Sequence, residues 1–140
     1  MATFTLVDCL VIVNSVTLSD HAFGLDVGGD YEEVEATPFG STAKLLRKGL
    51  PTAQIEIKFY QDYAAGSVYA TCLSLFQTTT PFQVEVRPTS AGRAPTNPGH
   101  VIAQALLFSF HPLSGDIGGM SVYTATFKNA GNAGMTFPTA

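Results

Sequence analysis

Charge is what this chain has least of. Only 13% of its 140 residues are Asp, Glu, Lys or Arg, about half the ~25% of an ordinary soluble domain. Lys and Arg number 7 against 11 Asp and Glu, a net charge of −4. There is thus no basic footprint of the kind that grips phosphates, and sequence-specific nucleic-acid binding is not expected. Tryptophan is absent. With Tyr60, Tyr63 and Tyr69 assigned to packing, the aromatic platform wanted by a carbohydrate-binding jelly-roll module is missing as well. The two cysteines, Cys9 and Cys72, lie in separate apolar runs without C-x-x-C spacing, so they read as reduced core thiols, with a disulfide between them left open. His21, His100 and His111 are scattered with no H-x-H or H-E-x-x-H spacing, so neither a metal nor another cofactor is implied. No G-x-S-x-G elbow, P-loop or G-x-G-x-x-G following a strand occurs, and Gly28-Gly29 and Gly118-Gly119 read as turns. Glu33 and Glu35 are neighbours on one strand face rather than carboxylates across a cleft, so no enzyme is expected. No window approaches the ~18 apolar residues of a membrane span. The opening MATFTLVDCL lacks the positive segment of a secretory leader, which places the start of the product in a cytoplasm.

What is there is apolar and heavily punctuated. Hydrophobic residues make up 46%, with 13 Gly and 8 Pro, a composition that favours many short strands over a helix bundle. The length suits a single domain over residues 1–140. A surface this poor in charge is expected to be covered in part by other subunits, because soluble monomers seldom expose large contiguous apolar patches.

The stretch from Glu35 to Phe76 organises the rest. Ala53 to Tyr60 (AQIEIKFY) alternates, placing Ile55, Ile57 and Phe59 on one face and Gln54, Glu56, Lys58 and Tyr60 on the other. Asp62 is positioned to cap a helix, after which Ala65, Val68, Tyr69, Cys72, Leu75 and Phe76 form an apolar stripe over about four turns. Upstream, LVDCLVIV at 6–13 reads as a buried strand after a short arm at 1–5. Ala22–Val27 is a second strand, expected to end in a hairpin turn at Gly28-Gly29-Asp30, with Tyr31–Ala36 returning as a third. Residues 37–51 then form a long polar connection holding Lys44, Arg47 and Lys48, three of the seven basic residues; such loops are usually functional or tied to a partner. Downstream, Phe82–Arg87 alternates. Residues 89–99 form an exposed, mobile loop. His100–His111 is the most apolar strand, expected to be central in a sheet or covered by a second subunit, and Ser121–Lys128 pairs back onto it. The tail at 129–140 carries only Met135 and Phe137 as anchors and is expected to be disordered alone or ordered against a neighbour. The fold class is mainly β, an antiparallel sandwich or barrel of seven or eight strands with one flanking α-helix.

The blocks T-P-F-G-S-T, G-L and F-Y-Q-D-Y-A-A-G-S-V-Y-A-T resemble the tail tube (major tail) protein family of long-tailed bacteriophages with non-contractile tails. The resemblance runs from about Glu35 to Arg87 and more loosely from His100 to Asn129. It implies a structural virion protein, assembled in the host cytoplasm, whose copies form hexameric rings stacked into a tube that conducts phage DNA. Its further partners would be the tape measure, tail terminator and distal tail proteins. A capsid decoration protein is the alternative. A wall of negative charge would let a duplex slide without sticking, so Glu33, Glu35, Glu56 and Glu85 are the expected lumen residues. Ser41, Thr42, Lys44, Arg47, Lys48, Asp30, Glu32, Met135 and Phe137 are the expected contacts between subunits or rings, the basic loop facing acidic groups of a neighbour.

Overall fold

The computed structural model describes residue 5, residues 7–132 and residues 134–139. In chain order the elements are β1 (Leu10–Val13), β2 (Val16–Thr17), β3 (Ala22–Glu35), β4 (Leu46–Tyr60), α1 (Val68–Gln77), β5 (Phe82–Arg87), β6 (His100–Leu107), β7 (Val122–Asn129) and β8 (Met135–Thr136). Their hydrogen bonds build one antiparallel sheet in the order β2-β1-β5-β6-β7-β4-β3, with β8 also paired to β6. The mainly antiparallel β architecture, the strand count and the single helix are as expected, and the strands are joined in one continuous sheet. One hydrophobic cluster draws Val11 and Val13 from β1, Ile55, Ile57 and Phe59 from β4, Val84 and Val86 from β5, Ile102 from β6, Tyr123 and Phe127 from β7, and Val68, Cys72 and Leu75 from α1. Each side chain buried in this way contributes about 1.5–3 kcal/mol through removal of apolar surface from water.

The alternation of β4 is the clearest cause of this arrangement. Ala53, Ile55, Ile57 and Phe59 are buried while Gln54, Lys58 and Tyr60 are exposed, and the core residues Ile55, Ile57 and Phe59 lie opposite Phe127, Ala125 and Tyr123 of β7. Matching parity on both strands keeps apolar residues on one face, since a one-residue slip would turn all of them to solvent. On the other edge Leu25 and Val27 of β3 oppose Ile57 and Ile55.

Four expectations change here. Gly28-Gly29-Asp30 does not turn: β3 runs through it and pairs Gly28, Gly29 and Asp30 with Gln54, Ala53 and Thr52. The Tyr31–Ala36 segment is therefore the distal part of β3 and not a third strand. The connection expected at 37–51 is correspondingly shorter, because Leu46–Pro51 belongs to β4. A long partner strand outweighs the local turn preference of the glycines, which adopt extended geometry as readily as any other. The helix also begins later than the Asp62 cap implied, at Val68, because Gly66 takes a left-handed φ of +77° that stops a helix from passing through it. Asp62 instead secures that turn, accepting the Ala64 N–H at 3.0 Å and the Ser67 hydroxyl at 2.8 Å. Ala65 thus precedes the helix, and Phe76 lies partly exposed against Phe110 at 5.5 Å between ring centroids.

β6 is central, as its composition predicted, flanked by β5 on one side and by β7 and then β8 on the other. The 88–99 loop is fastened to the molecule. Asn97 is buried, its amide donating to the Ala91 and Gly92 carbonyls at 3.0 and 3.1 Å and its Oδ1 accepting the Thr89 N–H at 3.0 Å.

Candidate functional site

Beyond Gly28 the paired strands β3 and β4 leave the core. Residues 28–48 are all exposed, and at ~3.3 Å per residue the eight-residue stretch from Gly28 to Glu35 projects roughly 26 Å. Tyr31, Val34, Phe39, Leu45, Leu46 and Leu50 show large apolar surfaces along this arm, Phe39 fully exposed and Leu50 at 76%. Two strands without a third, or without a face to bury, are marginal on their own in water. The arm has local stabilisers: Lys48 Nζ sits 4.6 Å from the centroid of the Tyr31 ring, and the Leu45 N–H donates to Thr37 Oγ1 at 3.0 Å. A bulge between Tyr31 and Glu33 bends it. Gly49 fits opposite that bulge because a Cβ there would lie 3.1 Å from the Glu32 carbonyl oxygen and 3.2 Å from Val34 Cγ2.

Most of the expected assembly residues meet on this arm. Asp30, Glu32, Glu33 and Glu35 come from β3, Ser41, Thr42 and Lys44 from the connection, and Arg47 and Lys48 from β4. Register places Glu33 opposite Lys48 and Val34 opposite Arg47. One member of each cluster read from the sequence as a partner across two subunits, Glu33 and Lys48, thus stands opposite the other within one hairpin.

A second surface lies on the sheet's outer side. Because β3 continues through its glycines, Asp26, Gly28 and Asp30 share a face with Thr52, Gln54, Glu56 and Lys58 of β4 and Thr124, Thr126 and Lys128 of β7. The side chains present are all polar, and the missing side chain at Gly28 leaves a groove of about 460 Å³ beside Asp30, Gln54 and Lys128. Glu56 stands directly opposite Asp26, two like charges on one face. Sequence reasoning missed Asp26; the signal was the alternation L-D-V-G-G-D, which keeps its parity if no turn is placed at the glycines. Glu33 and Glu35, on the arm, are not brought together with Glu56.

Two expected site residues are corrected. Glu85 is not available to a lumen: it is 4% exposed, held by Arg87 and by both Nε, at 3.1 Å, and Nη2 of Arg93. The bond from Arg93, followed by that from Arg87, holds its carboxyl below the usual range against the opposing effect of burial. Strand parity did turn Glu85 away from the core, but the 88–99 loop folds back over that face and supplies the arginine. Met135 is not a free anchor either. It pairs with Ile102 through β8 and packs against the core of its own chain, whereas Phe137 is 60% exposed beside His100. Of the arm expected at 1–5, residues 1–4 lie outside the described residues.

Among the described residues no cluster of three His, Cys, Asp or Glu side chains is placed to hold a metal. Cys72 is a buried free thiol whose burial pushes its pKa up to about 12, so it stays protonated and inert. Among the described residues no helix is long and apolar enough to cross a membrane.

No family model matches this chain, and neither does any curated protein sequence. Solved structures do. A chain of the virion of a native gene transfer agent particle superposes with a TM-score of 0.72 at 15% identity, over 94% of this chain and 95% of that one. The tail of an empty gene transfer agent particle, refined with C6 symmetry, gives 0.64 at 15% over 84% and 82%. The tube terminating cap of the anti-feeding prophage gives 0.73 at 10% over 100% and 93%. The chain has a tail-tube-like fold. At these identities the likeness concerns the backbone, so the surfaces of this tail-tube-like chain are its own.

Proposed function

We propose that this chain is a structural protein of a phage-like tail whose copies form hexameric rings and stack into a tube. The observation that carries this reading is the apolar arm on a tail-tube-like fold: a projecting two-stranded hairpin with Phe39, Leu46 and Leu50 in solvent is marginal unless another surface covers it. Within a ring, free sheet edges are the natural joints. β3 ends the sheet on one side and the short β2 on the other, and closing a ring pairs edges that would otherwise template aggregation. The arm and Phe137 then reach the next ring. The bore is lined by the polar face around Asp26, Asp30 and Glu56, with Glu33 and Glu35 at its margin, so passing DNA is repelled rather than held. Tape measure, terminator and distal tail proteins complete the list of partners.

Electron microscopy of the concentrated, purified chain tests this directly: hollow filaments of uniform bore are expected, and a strictly monomeric sample would end the proposal. A second reading, a tube terminator, is favoured by the likeness to the anti-feeding prophage cap. It predicts single rings that bind tube ends and never elongate. A capsid decoration protein would form neither. Reversing Glu33, Glu35 and Glu56 to lysine should leave filaments intact and slow genome ejection; unchanged ejection would remove the lumen assignment alone.

A further inference from the structure

His21 holds two carboxylates at once. Its Nδ1 lies 2.9 Å from Oδ1 of Asp20, and its Nε2 lies 2.9 Å from Oδ2 of Asp62. A neutral imidazole has one N–H, so in that form one of the two contacts would set a ring lone pair against a carboxylate oxygen. Only the imidazolium donates at both ends. The residue sits where three parts of the molecule meet. Asp20 and His21 form the turn between β2 and β3, and Asp62 lies between β4 and α1. The His21 carbonyl accepts the Tyr60 N–H at 2.8 Å, and its own N–H donates to the Leu18 carbonyl at 3.2 Å. On the other side the Asp62 carbonyl accepts the Tyr69 N–H, in the first turn of α1, at 3.0 Å.

The charges around the ring are one-sided. Facing it are Asp20 from its own turn and Asp62 from the β4–α1 segment, and among the described residues no lysine or arginine forms an ion pair with either. Asp62 is kept ionised: the Ala64 N–H first, then the Ser67 hydroxyl, hold its carboxyl below the usual range. The ring itself is half-buried, its side chain 27% exposed, so water reaches it for proton exchange.

We propose that His21 is a proton-operated clasp: charged, it fastens the leading turn of α1 to the base of the β3–β4 hairpin, and neutral, it releases one of its two ends. Histidine is the side chain whose charge changes most readily near neutral pH, so gain or loss of a ring proton works the clasp. The sign follows from the donors: closure is complete on the acid side and is lost as pH rises. This inference is independent of the tail reading, since it concerns the isolated chain.

Ring-nitrogen NMR and amide exchange on the full chain test it, with His100 and His111 as internal references. At pH 5.5 both His21 ring nitrogens should carry protons. Between pH 5.5 and 8 the protection of the Tyr69 amide, corrected for intrinsic exchange, should fall about threefold, the scale of a partly exposed ion pair. His21→Gln should show the lower protection at both pH values, and Asp62→Asn should abolish the step. A His21 ring with a single proton at pH 5.5, or the same step in His21→Gln, would overturn the proposal. If His21→Gln does not fold, the ring nitrogens of the native chain decide alone.

Discussion

The two ends of the β3–β4 hairpin share hydrogen bonding and antiparallel pairing but differ in everything side chains contribute. At the base, Leu25 and Val27 cover Ile57 and Ile55, while Phe59 is buried between neighbours. At the tip, Phe39, Leu46 and Leu50 of similar hydrophobicity touch little but water. The base is held by burial, and the tip is held by its backbone ladder and a few polar contacts. Backbone pairing thus sets the shape of the arm, while burial sets where stability resides. What is left unburied at the tip is available to a partner.

The largest effect is expected at the base. Phe59→Ala should cost about 3–5 kcal/mol, the usual toll of emptying a fully buried aromatic site, read as a shift in the denaturation midpoint; Leu50→Ala, on the arm, should stay within about 0.5 kcal/mol. Equal losses at both positions would erase the distinction. Next comes Glu85, the buried carboxylate on the opposite flank of the sheet. Glu85→Gln should cost about 2–3 kcal/mol at neutral pH, since it leaves the two arginines without their counter-charge. Its carboxyl is held below its unfolded value, so the carboxylate's stabilisation is complete above the unfolded pKa of ~4.3 and fades as pH falls through the folded one. The gap between native and Glu85→Gln chains should therefore narrow under acid. Glu56→Gln should stabilise the chain by about 0.2–1 kcal/mol by relieving the repulsion from Asp26 directly opposite. The smallest effect on the monomer is expected from deleting Ser41–Lys48, whose melting should barely move while filaments give way to monomers or free rings, as counted by ultracentrifugation.

Much of this was readable from residue order. The alternation AQIEIKFY placed Ile55, Ile57 and Phe59 in the core, and Val68, Cys72 and Leu75 came from one helical stripe, because side-chain periodicity is a property of the local backbone. Gly28-Gly29 misled because a glycine pair is permissive rather than directive: it allows a turn, and a long partner strand can equally hold it straight.

The remaining errors have a common origin. Parity correctly turned Glu85 away from the core, yet its burial came from Arg93 and Gly99, residues eight and fourteen positions away, folding over it. Met135 found its place only because β7 stops at Asn129, opposite Ala105, and leaves Ile102 unpaired on that side. The linear chain of this protein thus settles which face of each strand or helix is apolar, since alternation depends on adjacent residues. Which strand lies beside which, and which loop covers a polar face, was settled by folding, since those contacts join residues that nothing in the local order connects.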